Sequence, residues 1–180
     1  MGVRIEPGPA EPAPVQAADQ VDAIAEAWQR ERPGTPVQGI GIVTRVTRLA
    51  KLFGDDRRRV LAGAGADPAT LDLLSVLRRS GVPYRLTTRQ LAARTLVTAG
   101  AISQRLARAE RAGLVRRTPV AGSRAVEVTL TRAGHQFVEQ LVDRVLGREA
   151  ELVSRLTADE QRELGRLLRM LLDDVQRQLA

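Results

Sequence analysis

The sequence predicts a mainly α-helical chain with a small β-wing: a winged helix-turn-helix held between N- and C-terminal helical arms. Three observations carry this. Apolar residues at Leu91, Val97, Ile102 and Leu106 are spaced to pack two short helices together, with small Ala92 where they approach closely. Residues 114–118 and 125–130 are short extended runs, joined by the turn Pro119-Val120-Ala121-Gly122-Ser123. The 180 residues are 43% hydrophobic but only 2% aromatic, so the core is aliphatic and rich in the Leu and Ala that favour helices.

The elements follow in order. Residues 1–16 hold Pro7, Pro9, Pro12 and Pro14 with little apolar content, the composition of a disordered tail. An extra N-terminal helix is expected within 17–34, with Val21, Ile24, Ala25 and Trp28 at helical spacing and Pro33-Gly34 as its end. A long helix from near Pro36 shows one apolar row, Ile40, Val43, Val46 and Leu49, extended by Phe53 and Val60. Gly63-Ala64-Gly65 breaks it. Asp67 is the N-cap of a third helix and Pro68 its first residue, with Leu71, Leu74, Val76 and Leu77 as its apolar side.

Thr87 caps a helix over 88–95. Thr98 caps the next, over 99–112, which Gly113 closes. Thr131 caps a long helix to about Leu156, and Thr157-Ala158-Asp159-Glu160 is a capping box for the last one. That last helix carries Leu164, Leu167, Leu168, Met170, Leu171, Leu172, Val175 and Leu179. This is more than one stripe requires, as if it packed both on its own domain and on a second copy. The expected division is 66–130 as the DNA-binding domain, with 35–65 and 131–180 as dimerisation helices.

Charge points to a polyanion. The chain carries +7, yet residues 85–124 alone hold nine arginines against a single acid, Glu110, so the remainder is close to neutral. The second helix of the pair turns Ser103, Gln104, Arg105, Arg108 and Arg111 outward, as a helix lying in a DNA groove would. Catalysis finds no support. There is no cysteine, one histidine (His135), no glycine-rich phosphate loop and no metal-ligand cluster. The carboxylates of Asp55-Asp56 and Asp173-Asp174 are adjacent in sequence and point apart on a helix. No cofactor is implied. No run reaches the roughly 18 apolar residues of a membrane span, and no secretion signal opens the chain, so a cytoplasmic protein is expected.

Over residues 36–180 the chain resembles the MarR family of bacterial transcriptional regulators. The resemblance rests on Leu91-Ala92-Ala93, on Ala99-Gly100-Ala101-Ile102-Ser103-Gln104-Arg105-Leu106, and on Glu110-Arg111-Ala112-Gly113-Leu114-Val115-Arg116-Arg117. The run from Arg124 through Val126-Glu127-Val128-Thr129-Leu130 to Gly134 completes it. It implies a homodimer that sets one recognition helix per copy into successive major grooves about 34 Å apart. Thr98, Ala99, Gly100, Ser103, Gln104, Arg105 and Arg108 would face DNA, and Arg124 at the wing tip would reach the minor groove. The acid that usually precedes that arginine in the family is missing here.

The extra N-terminal helix is similar to the branch of the family that responds to urate or tricarboxylate-type anions, such as citrate and trans-aconitate. By that resemblance Trp28, Asp72, Arg105 and Arg117 would form the effector site. An anion would compete for arginines otherwise paired with Asp72, and so shift the recognition helix. The expected function is a repressor released from a palindromic operator by a small anionic metabolite. An activator of the same fold, or an architectural DNA binder without an effector, remains open.

Overall fold

The computed structural model describes residues 18–180, so the expected N-terminal tail lies outside the described residues. The chain divides into two compact units, meeting between Gly54 and Asp55.

The first unit holds α1 (Gln20–Glu31) and most of α2 (Ile40–Ala62). Asp19 caps α1: its Oδ1 accepts the Val21 and Asp22 N–H groups at 2.6 and 3.1 Å, and the Asp22 carboxylate accepts the Asp19 N–H at 3.0 Å. Both acids converge on Arg45 Nη2 of α2, at 2.9 and 2.8 Å. Hydrogen bonding to that guanidinium is the first cause holding both carboxyls below the ordinary aspartate range. α2 begins later than Pro36: residues 35–37 are irregular, 38–39 form a turn in which the Val37 carbonyl accepts the Ile40 N–H, and the Gly39 carbonyl accepts the Val43 N–H as the helix starts. The expected apolar row of α2 is present but uncovered: Val43, Val46, Leu49 and Phe53, with Ile42 and Leu52, are exposed in the single chain.

The second unit contains α3 (Pro68–Arg78), β1 (Arg85–Thr87), α4 (Thr88–Thr95), α5 (Ala99–Arg111), β2 (Val115–Pro119), β3 (Val126–Leu130), α6 (Arg132–Leu152) and α7 (Ala158–Leu179). The caps expected at Asp67, Thr87, Thr98, Thr131 and Thr157 all form. The ribbon is a three-stranded antiparallel sheet, ordered β1-β3-β2, rather than two strands. β1 is only three residues long and leaves no period to read. It is held by the register Leu86↔Val128 and by burial of Leu86.

One core joins Leu73, Leu74 and Leu77 of α3, Leu91 of α4, Ile102, Leu106 and Ala109 of α5, Val128 of β3 and Val138 of α6. A second cluster sets Leu61 against Leu71, Leu141 and Val145. Arg148 of α6 reinforces it by pairing with Asp56 at 3.0 Å. At the far end of α3, Arg78 lies over the Tyr84 ring and pairs with Glu139, while His135 meets the same ring edge-on at 4.7 Å. His135 is thus a packing residue between α6 and the turn before β1.

α7 departs from expectation. None of its residues is buried, so both apolar faces stay open in one chain and neither is spent on its own domain. No helix of the described residues is long and apolar enough to cross a membrane.

The wing is fixed to α6 by a close approach at Gly134. The Thr131 N–H and hydroxyl donate to the Leu114 and Gly113 carbonyls at 3.1 and 2.7 Å. That brings Leu114 O to within 1.9 Å of where a Gly134 Cβ would stand. Backbone cannot give way as a side-chain tip can. Gly134→Ala should therefore cost about 2 kcal/mol or more, read as a lowered urea midpoint at unchanged slope.

Candidate nucleic-acid interface

α4 and α5 are joined by the three residues 96–98. Leu96 ends α4 in the left-handed region (φ 53) and is 92% exposed, while its N–H and that of Val97 both donate to Ala92 O. Thr98 Oγ then accepts the Ala101 N–H at 3.2 Å and starts α5. Ile102, Leu106 and Ala109 seat α5 on the core, which fixes what its other sides can do.

Helical geometry sorts the remaining residues into three rows. Gly100, Gln104, Ala107 and Arg111 recur at helical spacing on the side opposite the core; all but partly covered Ala107 are exposed. Ser103 is exposed beside them. A Cβ built on Gly100 would meet nothing within 4 Å, so the first turn of α5 is open to close approach.

One flank of α5 faces the start of α3. Arg108 Nη1 pairs with Asp67 Oδ2 at 3.0 Å. Arg105 lies one turn earlier on the same flank, partly covered, and its Nη1 is buried without a hydrogen-bond partner. The other flank faces the ribbon. Arg117 donates from Nε to Glu110 Oε2 at 2.7 Å and from its backbone N–H to Oε1 at 3.3 Å, clamping β2 to α5.

Beside this second flank a solvent-open cleft of about 400 Å³ runs between α4, α5 and the ribbon. Thr88, Arg89, Ser103 and Arg117 are its polar lining, and Ala92, Ile102, Leu106 and Val126 part of its apolar lining.

The arginine-rich segment keeps much of its charge free. Arg85, Arg108 and Arg117 are paired with Glu127, Asp67 and Glu110. Among the described residues Arg89, Arg94, Arg111, Arg116 and Arg124 are exposed and form no ion pair. Arg124 sits in the turn 120–125, where no acid holds it. No group of three His, Asp or Glu among the described residues could hold a metal.

The predicted residues are thus distributed as follows. Thr98, Ala99, Gly100, Ser103 and Gln104 lie on the exposed first half of α5, and Arg124 on the wing. Arg105 is turned to a flank rather than outward, because the core stripe one position later sets its direction. The expected pairing of arginines with Asp72 does not form: Asp72 is exposed on α3 between buried leucines, and the acids that take α5 and β2 arginines are Asp67 and Glu110. Trp28 is half exposed on α1 in the first unit. Arg111 is exposed, as its outward position on the second helix predicts. Arg89, Arg94 and Arg116 enter the sequence reading only as part of the arginine surplus, and the structure leaves each of them exposed.

A capped helix pair, an open second helix and a three-stranded ribbon with a basic tip define a winged helix-turn-helix. A model of the MarR family matches residues 64–125. The HTH-type transcriptional regulator PecS of Dickeya dadantii (strain 3937) is 27% identical over 150 residues, covering 83% of this chain and 90% of that one. A MarR mutant from E. coli complexed with operator DNA is 28% identical, covers 75% of this chain and 98% of that one, and superposes with a TM-score of 0.60. Sco3205, a MarR family transcriptional regulator from Streptomyces coelicolor solved in complex with DNA, is 26% identical, covers 74% and 84%, and gives a TM-score of 0.64. In sequence and in fold the chain is thus similar to MarR-family winged-helix transcriptional regulators.

The Glu110–Arg117 clamp has a measurable signature. Hydrogen bonding from the Arg117 side chain, opposed by a smaller effect of burial, holds the Glu110 carboxyl below the ordinary glutamate range. Because the folded value is depressed, the clamp's contribution is present above the unfolded-chain pKa and is lost as pH falls through the folded one. An NMR titration of side-chain carboxyls should show Glu110 ionising at abnormally low pH, and returning toward the ordinary value in Arg117→Gln.

Proposed function

We propose that this protein is a sequence-specific, ligand-responsive DNA-binding regulator, acting as a homodimer and most simply as a repressor. The observation that carries the reading is the open row Gly100, Gln104 and Arg111 with Ser103, ringed by unpaired arginines on α4, β2 and the wing. Ser103 and Gln104 offer donors and acceptors to base edges, while Arg89, Arg94, Arg111 and Arg116 suit phosphates. Arg124, on the turn of a narrow hairpin, suits a minor groove. Two relatives of this fold were solved with DNA, which supports the same use here. The uncovered apolar rows of α2 and α7 are what a second copy would cover.

Mobility shift on the DNA upstream of its own gene tests the reading. Binding should prefer a palindrome over random duplex and weaken roughly a thousand-fold from about 50 to 200 mM salt, as counterions are released. Gly100→Ala should leave the fold intact or slightly more stable, since the added methyl meets open space and alanine favours helices. A loss of DNA affinity in that variant would report close approach of the helix. Equal affinity for all sequences would favour an architectural role.

For the effector, a small anion is the class of choice. Arg89 brings unpaired positive charge to the cleft, Arg117 lines it as a cation for which an anion would compete with Glu110, and Thr88 and Ser103 offer hydroxyls above an apolar floor. Arg105 and Asp72 do not line it. Trp28 is the only tryptophan, so its emission during titration with urate, citrate or trans-aconitate follows any change at α1. Loss of the DNA complex on adding one of these, blunted by Arg117→Gln, is the expected result. No release by any of them would remove this effector class.

A further inference from the structure

We propose that Asp67 competes with DNA from within the domain, holding Arg108 on the protein until a phosphate takes it. The inference rests on the DNA-binding reading above. Asp67 cannot move away from its post. Its Oδ1 accepts the Thr70 N–H at 2.7 Å as the N-cap of α3, where the helix dipole also favours a negative charge. Its second oxygen is left facing α5, and Arg108 Nη1 lies on it at 3.0 Å.

The carboxyl is ionised at neutral pH. Partial burial pushes it up, but Thr70 and the nearby charges of Arg108 and Arg105 bring it below the ordinary aspartate range. Arg108 alone pairs with this acid, and the buried Nη1 of Arg105 on the same flank lacks an acceptor.

The partners are unequal in mobility. Arg108 is 62% exposed, at the edge of the row formed by Gln104 and Arg111, so rotation of its side chain can carry it to an approaching phosphate. An ion pair this exposed is weak and gives way. Asp67, pinned by its cap, cannot follow and is left charged at the protein–DNA boundary. It opposes binding to every sequence alike, and its prior neutralisation of Arg108 lowers the number of counterions released.

Asp67→Asn isolates the charge, because asparagine caps helices as well as aspartate and keeps the acceptor for Thr70. The full-length variant is measured against its own upstream DNA and a random duplex of equal length, across a salt series. The expected result is several-fold tighter binding to both duplexes, with a log–log salt slope steeper by about one per subunit. In an Arg108→Gln background the gain should vanish. Unchanged or weaker binding at an unaltered thermal midpoint overturns the proposal, as does a gain that persists without Arg108. If the asparagine variant loses stability, Asp67→Ser, a neutral N-cap, replaces it under the same criteria. Wild-type protein that binds neither duplex defeats the DNA-binding reading itself, and this inference with it.

Discussion

The structure depends on how α5 is seated. Ile102, Leu106 and Ala109 bury one side of the helix against α3, α4 and the sheet, and this single apolar stripe dictates the direction of every other α5 side chain. A helix bound this way has one free face and two flanks. The free face is polar and uncrowded. Each flank makes one ion pair: α5 supplies the base Arg108 to Asp67 on one side and the acid Glu110 to Arg117 of β2 on the other. Packing comes first here and electrostatics follows, since a one-residue slip of the stripe would rotate both ion pairs out of reach.

Charge in this domain is arranged rather than merely abundant. A surplus of arginines would repel itself and bind any polyanion indiscriminately. Three of them are instead committed to internal acids: two pairs link elements some forty residues apart, β1 to β3 and α5 to α3, and the third clamps β2 to the preceding α5. Apart from partly covered Arg105, the rest stay exposed on α4, α5, β2 and the wing. The paired set shapes the surface, and the unpaired set gives it its attraction for phosphate.

Most of the fold was legible because it is locally encoded. Caps at Asp67, Thr87, Thr98, Thr131 and Thr157 are short-range chemistry, and helix boundaries follow from them within a few residues. β1 escaped because three residues show no alternation and its partner strand lies some forty residues away. The site was read less completely for the same reason. Asp67 was recognisable as a cap, but its pairing with Arg108 spans 41 residues and has no local signature. Asp72 attracted attention through its leucine neighbours, yet on α3 those leucines turn inward and the acid turns out. Burial of a neighbour says little about burial of a residue one position along a helix.

The turn at Leu96 has a mechanical consequence. Both N–H groups of the Leu96-Val97 link are tied to one acceptor, the Ala92 carbonyl, and Thr98 begins the next helix at once. So short and so anchored a joint leaves no slack for one helix to swing while the other stays. α4 and α5 must travel as a block, and a displacement of either is passed on as tilt of the pair, a rigid lever rather than a flexing finger.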